Sequence, residues 1–249
     1  MATNPLNILL TRPQPKSQEL ATVLAPIANL IEICPLFEYA ASAQALSDHS
    51  QFSDIAADII IFVSPAAVEF ALKTITIEML SSTQVFAVGQ ATATRLQHRG
   101  LSNISVPERE TSEGLLQLVT LQHVKDKRVI IVRGNGGREH LAQELTNRGA
   151  IVTYNEVYKR QWLPLNAEQT IEKWRKQQIN CIVVTSTQIL EKLFALIDDL
   201  HFANQCTWLV VSERTRQNAH ALGLTKVINC QGASHQHILA SIKAQLMEN

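Results

Sequence analysis

The sequence has no excess of charge of either sign: 22 lysines and arginines face 22 aspartates and glutamates in 249 residues. A balanced chain has no global field to recruit nucleic acid or an anionic membrane surface, although basic side chains can still gather around an acidic small molecule. No apolar run approaches the ~18–20 residues of a membrane span. The amino terminus, MATNPLNILL, lacks the basic and long apolar segments of a secretory signal. The expectation is a soluble cytoplasmic protein. The four cysteines (Cys34, Cys181, Cys206, Cys230) lack CxxC spacing and lie in or beside strand-like runs, as small core residues in a reducing compartment do. His235 and His237 are the one close histidine pair; at the start of a predicted last helix they point two ways and suit no metal. Nucleotide and serine-nucleophile fingerprints (GxGxxG, GxxxxGK[ST], GxSxG) are missing as well.

What is present is a globular composition, 46% hydrophobic and 18% charged, long enough for one large domain or two ordinary ones. Apolar runs of strand length alternate with segments of helical period. The strands are expected at Asn7–Thr11, Leu30–Cys34, Asp58–Val63, Gln84–Val88, Asn103–Val106, Val129–Arg133, Ile151–Asn155, Cys181–Thr185, Trp208–Val211 and Val227–Asn229. Continuous rather than alternating apolar runs predict strands buried on both faces, hence parallel sheets covered by helices.

The pattern occurs twice. VFAVGQATATRLQHRGLSNISV and WLVVSERTRQNAHALGLTKVIN match at an offset of 123, with Thr92 on Thr215. DIIIFVSPAAVEFAL and NCIVVTSTQILEKLF match at 122, with Ser64 on Ser186, and Arg12 falls on Arg133 at 121. A duplicated five-stranded unit of the doubly wound, flavodoxin-like kind follows. Ligands of such sheets gather beyond the carboxyl ends of the strands. Here those ends read LTRP, FVSP, AVGQAT, IVRGNGGR, VVTST and VVSERT, rich in Ser, Thr, Gly and Arg, without a catalytic dyad. Two units facing each other would enclose a cleft suited to anions.

Each candidate has a structural reading beside the functional one. RGNGGRE (Arg133–Glu139) serves a tight turn or a close approach of an anion. Ser64, Ser186, Thr92, Thr215 and Thr11 sit at strand-to-helix junctions, as helix caps, ligand contacts, or both. VSPAAVE reads as Ser64 capping with Pro65 at the first helical position. Tyr158, in NEVYKRQW, packs in the core or presents a phenol at the cleft.

Taken together, LLTRP, IIIFVSPAAVEF, FAVGQATATRL, PERETSEGLLQL, RVIIVRGNGGREHLAQELTNRGAIVTYNEVYKR, IVVTSTQILEKL and VVSERTRQNAHALG resemble the uroporphyrinogen-III synthase family from Ile8 to the last helix. The resemblance implies two α/β domains with their first pieces exchanged and joined by a two-stranded linker. Residues 1–36 would join 161–249, residues 41–155 would form the other domain, and 37–40 and 156–160 would link them. It also implies a reaction: hydroxymethylbilane closes to uroporphyrinogen III, losing water and inverting its last pyrrole ring, with no cofactor. Departure of the hydroxyl leaves an azafulvenium cation, and attack at the substituted carbon gives a spiro intermediate that rearranges. Tyr158 matches the family's tyrosine proposed to assist that departure. The carboxylates would meet Thr11, Arg12, Ser64, Gly89, Gln90, Thr92, Arg133, Gly134, Ser186, Ser212, Arg214 and Thr215. Where the family often carries a polar or basic residue after the SP turn, this chain has Ala66. A monomer is expected, with hydroxymethylbilane as ligand, the preceding hydroxymethylbilane synthase as a possible partner, and neither nucleic acid nor membrane. The alternative of a different class is a hinge-linked binding protein for a small anion, without chemistry.

Overall fold

The computed structural model of the chain describes residues 5–42, 57–136 and 139–247. In chain order the elements begin with β1 (Asn7–Leu10), α1 (Lys16–Leu24), β2 (Leu30–Ile33) and β3 (Phe37–Ala41). Then come β4 (Ile59–Phe62), α2 (Pro65–Ala71), α3 (Ile77–Ser81), β5 (Gln84–Ala87), α4 (Gln90–Gln97) and β6 (Ile104–Ser105). Next are α5 (Ser112–Gln117), α6 (Val119–Gln122), β7 (Arg128–Gly134), α7 (His140–Asn147) and β8 (Ile151–Trp162). The chain continues with α8 (Ala167–Lys176), β9 (Cys181–Val184), α9 (Thr187–Ile197), α10 (Leu200–Gln205) and β10 (Thr207–Val210). It closes with α11 (Glu213–Ala221), β11 (Val227–Asn229), α12 (His235–Ile242) and a π-helical turn at Lys243–Met247.

The chain divides into two compact units, one of residues 1–38 with 162–249, the other of residues 39–161. The first holds a sheet in the order β11-β10-β9-β1-β2, the second a sheet in the order β3-β8-β7-β4-β5-β6. The pairings that join β11, β10, β9, β1 and β2 are parallel, as are those that join β8, β7, β4, β5 and β6. Read by the duplication, β7 and β8 correspond to β1 and β2, and β4, β5, β6 correspond to β9, β10, β11. Both sheets then have the flavodoxin-like order 2-1-3-4-5. The registers agree as well: Cys181 lies beside Ile8 as Ile59 lies beside Val129, which is the 122 and 121 offset in the strand ladder itself. Each copy's first two strands therefore sit in the sheet of the other copy's last three. The mixed α/β class, the duplication and the exchange of first pieces hold as expected.

The hydrophobic pattern explains the layers. In the second unit, Ile60, Phe62, Ile130 and Val132 pack on one face with Val68 and Leu96 of α2 and α4. Their neighbours Ile59, Ile61, Val129 and Ile131 pack on the other with Leu115 and Leu145 of α5 and α7. Successive strand residues thus fill opposite cores, which is why the runs are continuously apolar. In the first unit Ile8, Leu10, Val183 and Leu209 join Leu20, Leu24, Ile238 and Ile242 of α1 and α12. Cys181, Cys206 and Cys230 are buried and Cys34 is half-buried, all four as free thiols.

One element is longer than its sequence suggests. The strand expected over Ile151–Asn155 runs on to Trp162 through the polar NEVYKRQ. Its ladder to β7 continues as far as Gly134, and β3 lies on its other side. Leu163 N–H bonds Leu36 C=O at 2.9 Å, and Ser42 N–H bonds Val157 C=O at 3.2 Å, so β3 and β8 run antiparallel. Main-chain bonds on both sides hold a segment that has no apolar period. Among the described residues no helix is long and apolar enough to cross a membrane.

Candidate active site

The residues after β4, β5 and β7 lie at one edge of the second sheet, as parallel strands require. Ser64 is the N-cap of α2: its Oγ accepts the Ala67 N–H at 3.0 Å, and Pro65 takes the first helical position. The same oxygen lies 3.2 Å from the Tyr158 phenol oxygen. Tyr158 comes from β8, and three contacts fix its ring. Tyr39 meets it edge-on at 5.0 Å, Phe70 of α2 lies tilted at 5.6 Å, and Gly134 lies directly beneath.

A register shift produces the last contact. Arg133 pairs with Glu156, but Gly134 pairs with Tyr158, so β8 carries one extra residue at this point. Such a bulge turns a strand's side chain to a new direction. Val157, the residue skipped, is buried in the core, while Tyr158 is left half-buried at its edge. The Asn135 N–H closes the turn on the Tyr158 carbonyl at 2.7 Å. Gly134 of RGNGG therefore makes room for an aromatic ring; Gly137 and Arg138 lie outside the described residues.

Arg133 was expected to face the substrate as a cation. Its side chain is only 6% exposed and is enclosed by the protein. Nη1 meets Glu139 at 3.1 Å, Nε lies 3.8 Å from Glu156, and the guanidinium stacks 4.4 Å from the Tyr154 ring centre. Glu156 in turn accepts from Asn135 Nδ2 at 2.7 Å and from the Gly136 N–H at 3.2 Å. A buried guanidinium needs such compensation, and here the compensating carboxylates tie the loop 133–136 to β8 beside Tyr158. The Arg133 guanidinium thus acts on the loop, which the sequence did not reveal. Tyr154 donates its phenol proton to Glu139. Burial, reinforced by that carboxylate, pushes the Tyr154 phenol up to about 12, while the same hydrogen bond holds Glu139 below the usual carboxylate range. The raised value means that the fold favours the protonated phenol. That stability is present below the unfolded value of about 10 and is lost as pH rises through the folded one. The phenolate absorbance of the protein minus that of Tyr154→Phe is expected to have its midpoint near pH 12; a midpoint at the ordinary tyrosine value would contradict this.

The GQAT junction carries a second correction. Thr92 caps nothing: the N-cap of α4 is Gly89, and no side chain caps that helix. Gln90 is exposed, and Thr92, at the third helical position, is 2% exposed. Among the described residues its hydroxyl has no hydrogen-bond partner, unlike that of its counterpart Thr215.

In the first unit the strand ends after β1, β9 and β10 likewise share an edge. Ser186 and Ser212 are the N-caps of α9 and α11, accepting from Ile189 and Thr215 N–H groups at 3.3 Å each. Thr215 Oγ1 lies 2.9 Å from Ser212 Oγ and 3.3 Å from Thr187 Oγ1, linking two helix starts through hydroxyls. Thr187 was not anticipated. Thr11 caps no helix: it is fully buried and its hydroxyl donates to Val183 C=O at 2.9 Å, tying β1 to β9 where the strand order reverses. Arg12 reaches Ala233 C=O with Nη1 at 3.3 Å, and Arg214 is exposed on the first turn of α11. His237 turns to Ser234 Oγ at 2.7 Å while His235 lies 3.8 Å from Glu19; among the described residues no side-chain group suits a metal ion.

Each unit thus presents helix starts and hydroxyls at the carboxyl ends of its strands; the first adds the cations Arg12 and Arg214, and the second a positioned phenol. The family described as uroporphyrinogen-III synthase HemD matches residues 23–240. The chain is 32% identical over 246 residues to uroporphyrinogen-III synthase of Escherichia coli K12, covering 96% of this chain and all of that one. It is also 32% identical over 195 residues to the Proteus mirabilis enzyme, covering 76% and 98%. Among solved structures, the Helicobacter pylori uroporphyrinogen-III synthetase aligns with a TM-score of 0.62 at 15% identity, covering 94% and 97%. A mutant Thermus thermophilus enzyme aligns at 0.59 and 15% identity, covering 98% and 100%. With the family matched over most of its length and a full-length relative at 32% identity, this chain belongs to the uroporphyrinogen-III synthase family.

Proposed function

We propose that this chain closes hydroxymethylbilane to uroporphyrinogen III and that Tyr158 is its catalytic residue. The observation carrying this reading is the Tyr158 phenol 3.2 Å from Ser64 Oγ at the carboxyl end of β4, its ring seated on Gly134. A phenol there donates its proton to the departing hydroxyl of the bilane, which leaves as water. The azafulvenium cation that remains can close spontaneously to the symmetric isomer, so the protein's task is to hold the chain for attack at the substituted carbon. Positioning, rather than strong acid–base chemistry, carries such a step. The eight carboxylates of the substrate supply the handles. Helix starts at Ser64, Gly89–Thr92, Ser186 and Ser212–Thr215 offer amides and hydroxyls, which favour anions. Arg12 and Arg214 add cations, and Arg133 holds the Gly134 turn. The chemistry needs no cofactor. We place the protein as a cytoplasmic monomer that receives its substrate from the preceding hydroxymethylbilane synthase.

The test is a product analysis. Hydroxymethylbilane generated in the presence of the protein, then oxidised and separated by isomer, is expected to yield uroporphyrin III. Isomer I alone in the presence of folded protein would overturn the reading.

A further inference from the structure

The duplication provides an internal control for the helix starts. At the matching junctions of α2, α9 and α11 a serine side chain, Ser64, Ser186 or Ser212, accepts a first-turn amide. At α4 the corresponding residue is Gly89, and no side chain caps the eight-residue helix. Free amides at a helix start are unsatisfied donors carrying partial positive charge. Thr92 occupies the same third helical position from which Thr215 reaches the Ser212 cap oxygen at 2.9 Å. Yet the Thr92 hydroxyl has no partner among the described residues, in a side chain that is 98% buried. It is not among the sealed, unpartnered polar atoms, so solvent still reaches it.

A carboxylate faces this open junction. A Cβ on Gly89 would overlap Glu110 Oε2 and lie 3.0 Å from its carboxyl carbon. Glu110 is exposed, belongs to the PERETSEG segment before α5, and makes no ion pair or hydrogen bond among the described residues. Gly89 has extended backbone, so no left-handed conformation requires a glycine there. Its missing side chain leaves room for a carboxylate.

We propose that Glu110 is a specificity-determining residue, a resident carboxylate that a substrate carboxylate displaces from the Gly89–Thr92 junction. The inference rests on the functional reading above. Glu110 and an incoming carboxylate carry the same charge and seek the same helix start, so Glu110 opposes each acid that approaches singly. A ligand anchored elsewhere by several further carboxylates prevails by its effective concentration. The junction thereby discriminates against small mono- and dicarboxylates and in favour of a polyacid, at a cost in affinity for the polyacid itself.

Removing the charge while keeping the shape tests this. In Glu110→Gln, KM for hydroxymethylbilane is expected to fall about three- to tenfold, with a smaller change in kcat. Binding of uroporphyrin III, followed by tryptophan fluorescence, is expected to tighten by a similar factor. Glutarate, a dicarboxylate probe, is expected to inhibit the variant at lower concentration than the native protein. Thr92→Val should weaken porphyrin binding in both backgrounds. Unchanged or weaker porphyrin binding by Glu110→Gln would overturn the proposal, whatever the enzyme assay shows. If the native protein gives only isomer I yet the variant binds porphyrin more tightly, the catalytic reading fails and the competing carboxylate stands.

Discussion

Gly134→Ala is expected to lower kcat about a hundredfold, with a smaller effect on KM, although it adds a single methyl group. The added Cβ would lie 2.5 Å from Cε2 and 2.6 Å from Cζ of Tyr158, far inside van der Waals contact. Restoring ordinary separation requires a shift on the order of 1 Å. The ring cannot slide freely, because Tyr39 and Phe70 also contact it and the Asn135 N–H pins its carbonyl. The phenol oxygen therefore leaves its position by Ser64, and displacement of a catalytic group by about 1 Å costs about two orders of magnitude. Gly134 is not among the glycines with positive φ, so alanine is unfavourable here for steric reasons alone. Overpacking of this kind costs about 1–3 kcal/mol of stability, which a thermal melt measures beside the rate. A folded Gly134→Ala protein with native kcat would disprove the seat that Gly134 provides.

Tyr158→Phe isolates the hydroxyl from the ring. The aromatic contacts to Tyr39 and Phe70 and the seat on Gly134 persist, and Ser64 still caps α2 through Ala67. Loss of one partly exposed hydrogen bond costs only about 1 kcal/mol of stability. Removing a proton donor from the reacting centre costs about 10²–10⁴-fold in rate. Binding of the carboxylates involves other residues, so the affinity for uroporphyrin III should stay within about twofold. The two variants differ informatively: Gly134→Ala moves the phenol, whereas Tyr158→Phe deletes its oxygen. If both lower kcat without weakening binding, position and chemistry are both needed.

The fold was legible because duplication and burial leave traces in the residues themselves. Offsets of 121, 122 and 123 reappear in the strand registers, and apolar runs such as Ile59–Phe62 fill both cores. Ser64 and Pro65 announced a helix start by their chemistry, and the helix begins there. What the sequence hid depends on contacts between distant segments. As a sequence, RGNGG reads as a tight turn or an anion approach; the neighbour of Gly134 is instead a ring 24 residues on, brought there by a one-residue register shift. Arg133 looked like a cation available to the substrate until β8 brought Glu156 beside it. Thr92 looked like a cap because a strand-to-helix junction is easy to misplace by a few residues. Glu110 gave no signal, since its meeting with Gly89 joins two loops on adjacent strand ends. Tyr158 was readable as a candidate from its place after the second strand, but its partner Ser64, 94 residues away, was not.

We propose that the Tyr158 phenol beside Ser64 promotes departure of the bilane hydroxyl, which keeps catalysed closure ahead of the spontaneous one. The ratio of porphyrin isomers formed by Tyr158→Phe tests it most directly, because spontaneous closure to isomer I competes with the catalysed path within one reaction. With native protein the product should be isomer III. With folded Tyr158→Phe that still binds uroporphyrin III, isomer I should predominate as the slowed enzyme loses that competition. Isomer III formed by the variant at the native rate would contradict the claim.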